Sequence, residues 1–248
     1  MNGVPPALWS DTWRGVDLRV FATGDDSPLS LHAAAAVLCE NEHARAARFH
    51  FASDRDRWMR CRALLRLALG ERLGMPAANV RFHIQENGKP ALDSKPEQGS
   101  ALQFNLSHSG PLMALALGSG PVGVDIECWT PVLPAGEVSA HAFRPEEHEA
   151  IVLHSEPLRY FLELWTAKEA VMKCTGQGLS LPPPAVIVSP AGNLAVIEGA
   201  RGAFQLRSMT HPGMWVLTAA QPACQPALHD EARSALIPEV RSPTVTPL

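Results

Sequence analysis

The 248-residue chain has no CxxC pair, no long apolar run and no excess of positive charge, and each absence removes a class of protein. Its five cysteines, Cys39, Cys61, Cys128, Cys174 and Cys224, are odd in number and scattered. That suits reduced thiols better than a disulfide framework or a zinc site. The apolar stretches fall well short of the roughly 20 residues that span a bilayer. The opening MNGVPPALWSD has no basic segment followed by an apolar one. These features predict a cytoplasmic protein without a membrane partner. A net charge of -4 argues against a general nucleic-acid binder, so any polyanion it takes must be small and locally read. What is present in quantity is apolar residue, 46% of the chain, enough for one large core or two modest ones.

Hydrophobic spacing predicts a helix over residues 29–49 and a stronger one over 53–73, with Ser53 as its cap. Two helices are thus expected before any strand. Residues 79–85 alternate like a strand, Asn87-Gly88 marks a turn, and Lys89 is expected near the loop tip. Residues 102–106 and 112–117 read as strands joined through Ser107-His108-Ser109-Gly110-Pro111, and 122–127 as a third. After irregular sequence from 129 to 136, Pro145-Glu146-Glu147 looks like a helix start. A long helix is expected over 157–174, then strands near 185–188, 194–197, 204–209 and 215–219. Helices followed by sheet occur twice, which predicts an α+β fold of two similar halves, 1–119 and 120–220, before a proline-rich tail at 221–248. No residue-level repeat accompanies this pattern.

Within GVDIE, Asp125 and Glu127 lie two apart in a strand and share a face, where like charges repel unless something positive compensates. Hard oxygen donors of this kind suit Mg2+, and a solvated strand edge accommodates them as well. Trp165, Glu169 and Lys173 are spaced four apart and stack on one helical face, which fits an ordinary surface ion pair or a third carboxylate beside a phosphate-binding ammonium. Lys168 lies on a neighbouring face, structural or ligand-facing. In NLSHSG, the Ser107 and Ser109 hydroxyls and the His108 imidazole can hydrogen-bond a phosphate.

Taken in order, GKP (88–90), FNLSHSG (104–110), GVDIE (123–127), FRPEE (143–147), LWTAKEAVMK (164–173) and GQGLSLP (176–182) resemble the two-domain, Sfp-type 4′-phosphopantetheinyl transferases. The resemblance implies two α/β-sandwich-like halves forming an intramolecular pseudo-dimer, and hence a functional monomer. It implies transfer of the 4′-phosphopantetheine of coenzyme A to a serine of an apo acyl or peptidyl carrier protein, releasing adenosine 3′,5′-bisphosphate. Asp125, Glu127 and Glu169 would hold Mg2+, with Mn2+ as the alternative. Glu169 and Lys173 would be catalytic, Lys173 also pairing with the pyrophosphate with Ser107, His108 and Lys89 assisting, and Asp125 would bind the coenzyme through the metal held against its pyrophosphate. Arg45 and Arg57 would meet the 3′-phosphate of the coenzyme. Glu42 falls where relatives often carry a lysine, leaving one phosphate contact to be replaced by Arg48 or Arg55. The stretch 129–143, with Val132, Leu133, Val138 and Phe143, is expected to form an apolar dock for the carrier, rimmed by Arg144. An inactive coenzyme-binding module and a magnesium-dependent nucleotide hydrolase are the competing readings.

Overall fold

Trp9–Trp13 (β1) and Val16–Ala22 (β2) form an antiparallel hairpin whose two-residue turn, Arg14-Gly15, has positive φ at both positions, 50° and 80°. Strands therefore precede the helices, against the expectation of two helices first. In the computed structural model described here, residues 3–85, 89–93, 102–129 and 133–223 are placed. The Asn87-Gly88 turn, Val132, Cys224 and nearly all of the proline-rich tail lie outside these described residues.

The helix expected over 29–49 is two helices, Leu31–Ala35 (α1) and Glu40–Ala46 (α2). The break falls at Cys39, whose N–H is taken by the side chain of Glu42 at 2.9 Å, starting α2 afresh. Ala52–Leu73 (α3) starts from Phe51, not Ser53, and ends on Gly74 in the left-handed conformation. A small hairpin follows, Phe82–Ile84 (β3) with Pro90–Leu92 (β4).

The strands Gln103–Ser109 (β5) and Leu112–Gly118 (β6) are longer than their sequence signals, and the turn shrinks to Gly110-Pro111. Ser107, His108 and Ser109 are thus strand residues, not turn residues. The first sheet runs β1-β2-β6-β5. Gly123–Cys128 (β7) opens the second half, followed by Ala135–Ala142 (α4), which begins inside the stretch expected to be irregular. Pro145–Leu153 (α5) begins where proline and acidic residues predict, with Glu147 accepting the Arg144 N–H at 3.0 Å. Pro157–Thr175 (α6) ends at Gly176. Val186–Val188 (β8), Leu194–Ile197 (β9), Ala203–His211 (β10) and Trp215–Pro222 (β11) complete a second antiparallel sheet, ordered β7-β11-β10-β9-β8.

Alternation along the strands builds the layers. In β6, Met113, Leu115 and Leu117 face α3, whereas Leu112, Ala114 and Ala116 face the second sheet. There they meet Val124 and Ile126 of β7 with Leu217 and Ala219 of β11. The opposite face of the second sheet packs on α6 through Ala170, Val171 and Cys174. Two sheets lie inside and the long helices α3 and α6 outside. No helix among the described residues is long and apolar enough to cross a membrane.

Candidate active site

β5 and β7 are the edge strands of their sheets, and exposed edges need partners. Each satisfies the other through side chains. Asn105 Oδ1 accepts the Val124 N–H at 2.8 Å, and Ser109 Oγ accepts the Cys128 N–H at 3.0 Å. Ser107 Oγ donates to Asp125 Oδ1 at 2.8 Å, and Ser109 Oγ to Glu127 Oε2 at 2.7 Å. The polar residues 105, 107 and 109 share one face of β5 as 125 and 127 share one face of β7, so the two period-two patterns meet along a seam. The role of Asn105 escapes a reading of the motif alone; its i, i+2, i+4 spacing with the two serines is the signal.

Over this seam lies α6, brought close by Gly123. A Cβ there would fall inside the envelope of the Ala170 carbonyl oxygen and lie 2.5 Å from Cys174 N. Thr166 pins the helix from below: its hydroxyl donates to Leu162 O at 2.9 Å and meets Thr218 Oγ1 at 2.9 Å, and Thr218 stands opposite Asp125 in the ladder. Trp165 stacks on Phe161 and packs against Phe143, an anchor for the Trp165-Glu169-Lys173 face. Lys168 is structural: fully buried, it pairs with Glu147 at 2.8 Å and donates to Pro183 O at 3.1 Å.

Lys173 Nζ lies 2.6 Å from Asp125 Oδ1 and 2.9 Å from Ser107 Oγ, so the nearest positive charge to the acidic pair is this ammonium. It does not exhaust the negative charge. Asp125 is 2% exposed, and its Oδ2 is buried without a hydrogen-bond partner. Burial pushes the Glu127 carboxyl above its ordinary value; Ser109 opposes this, and the charges of Asp125 and Glu169 add to it. Burial likewise raises Glu169, with Lys173 opposing and Asp125 adding. No three metal-ligating side chains stand gathered around one point among the described residues. The donors are nevertheless hard oxygens short of positive charge, one of them unpartnered, and that chemistry fits a hard divalent cation.

The other expected phosphate contacts divide between two places. Lys89 Nζ donates to Lys173 O at 3.0 Å and lies 3.5 Å from Val122 O, so its ammonium reaches the end of α6. Burial lowers its pKa. His108 points away from the Ser107 face, as the pleat requires, into a cavity of about 340 Å³ with Arg57, Trp58, Phe49, Asp54 and Thr23. Arg57 pairs there with Asp54 at 2.5 Å. Arg45 stands over Trp58 with its guanidinium carbon 5.4 Å from the ring centre, and with Arg48 lines an adjoining hollow of about 580 Å³. Phe49 lines both, its ring 5.8 Å from that of Trp58. Arg55 is engaged with Asp56 at 2.7 Å.

The expected dock is different in kind. Phe143 is buried among Phe161 and Trp165, and Leu133 and Val138 pack on the same cluster. Arg144 donates to Pro184 O at 2.8 Å and pairs with Glu198 at 2.8 Å, so it ties the start of α5 to the segments flanking β8 and β9.

The model of the 4′-phosphopantetheinyl transferase N-terminal domain matches residues 25–119, and that of the 4′-phosphopantetheinyl transferase superfamily matches residues 121–223. The 4′-phosphopantetheinyl transferase HetI of Nostoc sp. (strain PCC 7120) is 36% identical over 159 residues, 62% of this chain and 67% of that protein. A 4′-phosphopantetheinyl transferase of Bacillus subtilis is 32% identical over 171 residues, 66% of this chain and 73% of its own length. The 4′-phosphopantetheinyl transferase Sfp of Bacillus subtilis (strain 168) is 29% identical over 170 residues, with 66% and 73% covered.

Proposed function

Since the chain belongs to the 4′-phosphopantetheinyl transferases and is an enzyme of that class, we propose that it moves the 4′-phosphopantetheine arm of coenzyme A onto a serine hydroxyl of an apo acyl or peptidyl carrier protein. The observation that carries this reading is the Lys173 ammonium on Asp125 Oδ1 at the seam, beside a buried carboxylate oxygen without a partner and within reach of the charge of Glu127 and Glu169, where charge must be neutralised during phosphoryl transfer. The carrier serine oxygen forms a bond to the phosphorus that bears the pantetheine, and the bond from that phosphorus to the bridging oxygen breaks. Adenosine 3′,5′-bisphosphate leaves with the bridging oxygen, and the serine proton passes to Glu169. A carboxylate of raised pKa is the better acceptor for it.

Asp125, Glu127 and Glu169 would hold Mg2+ or Mn2+, which when bound supplies positive charge to the pyrophosphate. Lys173, released from Asp125 Oδ1, pairs with the pyrophosphate as a point charge, and Ser107 supplies a hydroxyl beside it. Arg57 and His108 take the nucleotide phosphates in the aromatic cleft, with Arg45 in the adjoining hollow, and Lys89 holds the first half against the end of α6. The apolar faces buried between the sheets support an intramolecular pseudo-dimer of 1–119 and 120–220, which would act as a monomer.

Incubation with coenzyme A, Mg2+ and apo carrier proteins tests the function, read as a mass gain of one phosphopantetheine on the carrier. Absence of any gain on every carrier tried supports a binding module, and release of phosphopantetheine without carrier supports a hydrolase. Glu169→Gln is expected to lower kcat about 100-fold while changing the KM for coenzyme A less than about 3-fold. Equal kcat would remove Glu169 from the proton transfer.

The raised carboxyls also predict a pH dependence. With folded-state pKa values of Glu127 and Glu169 above their unfolded values, the metal-free fold binds more protons than the unfolded chain between those values, so it loses stability as pH rises through that window. A divalent cation offsets this loss only where the carboxyls are ionised. Mg2+ is therefore expected to raise Tm more at about pH 8 than at about pH 5. The same shift at both, or none, would remove the metal from these carboxylates.

A further inference from the structure

Glu42 would be a poor neighbour for a phosphate if it faced the cleft, and it does not. It is 6% exposed and turned onto α3, where Arg66 Nε reaches Oε2 at 2.7 Å and Arg62 Nε reaches Oε1. The same Oε2 takes the Cys39 N–H at 2.9 Å. Arg66 is itself 2% exposed and donates to Val80 O at 2.9 Å, so this end of the network is built into the core. Of the seven residues of α2, only Glu42 and Ala46 are buried. The short helix is therefore anchored on α3 by the Glu42 carboxylate together with Ala46, and one turn beyond Glu42 its exposed face carries Arg45 over Trp58.

We propose that Glu42 is a positioning residue for nucleotide recognition: by binding Arg62 and Arg66 it fixes the rotation and height of α2, and so holds Arg45 at the cleft for the 3′-phosphate of the coenzyme. The proposal rests on the reading that this cleft takes the phosphate-bearing end of coenzyme A. It accounts for an acidic residue at a position where the family resemblance implies a base. The negative charge is spent inside the fold on two arginines, and the cleft keeps its cations.

The test is steady-state kinetics with coenzyme A and 3′-dephospho-coenzyme A as alternative donors. Arg45→Ala is expected to raise the KM for coenzyme A about 10-fold and to leave that for the dephospho donor nearly unchanged. Glu42→Gln is expected to raise the KM for coenzyme A about 5-fold, with kcat within about 2-fold, and to add little to Arg45→Ala in the double variant, since both act through one contact. If Arg45→Ala weakens both donors alike, the phosphate reading of the cleft falls and the proposal with it. If Arg45→Ala separates the donors and Glu42→Gln does not, or if the two effects multiply, the cleft stands and the role of Glu42 is overturned. Should Glu42→Gln fail to fold, Arg62→Ala removes one tether at a half-buried position, and the same donor split is required of it.

Discussion

Gly123→Ala is expected to abolish measurable transfer and to lower stability by about 3 kcal/mol, the upper end of what overpacking a rigid site costs. The new methyl group would press far inside contact distance of the Ala170 carbonyl oxygen, with Cys174 N 2.5 Å away, and both belong to helix backbone that cannot rotate aside. The helix has to lift from β7. Ala170 sits one residue beyond Glu169 and three before Lys173, so the lift carries away both side chains that α6 brings to the seam. Displacement of about 1 Å at reacting groups costs on the order of 100-fold in rate, and here two groups move together. Thermal unfolding and the carrier mass-shift assay measure the two effects. A variant with unchanged Tm and full transfer would mean that α6 does not need this approach.

Asp125→Asn separates stability from activity. The amide oxygen can still accept from Lys173, and the amide nitrogen takes the place of Oδ2, which has no partner in the fold, so a buried charge is exchanged for a buried neutral donor and the gain offsets the weakened pair with Lys173. Little change in the metal-free Tm is expected, within about 2 °C. Turnover is expected to fall about 1,000-fold, because an amide cannot supply the negative charge that a cation at the seam requires. The Mg2+-induced rise in Tm is expected to vanish with it. Retention of full activity at limiting Mg2+ would reject the metal role of Asp125.

The parts of the site read from sequence are those whose signal is local. Asp125 and Glu127 share a face because strands have period two, and Glu169 and Lys173 share one because helices bring i and i+4 together; both hold in the fold. The α6 boundaries follow from Pro157 and Gly176 at its ends. Other features carry weaker marks. The β1-β2 hairpin turns on Arg14-Gly15, without the Asn-Gly signature that announces such turns, and so passes as unstructured. The break between α1 and α2 is made by Cys39, a residue type that does not advertise a cap. From sequence His108 groups with Ser107 because Ser107 to Pro111 reads as a turn, whereas pairing with β6 extends β5 to Ser109 and sends the imidazole to the opposite face.

By itself, the sequence determined which groups ride together: the apolar alternation that buries both faces of β6, the paired carboxylates, the helical face of Glu169 and Lys173, and the family to which these motifs point. Only the tertiary structure decided what each charge meets. Lys173 lies on Asp125, Arg144 on Pro184 and Glu198, Glu42 on Arg66, and Asn105 on the edge of β7. The reason is physical. Side-chain period follows from the geometry of a few consecutive peptide units, whereas the partner of a buried charge is set by which distant elements exclude water around it and must then satisfy it.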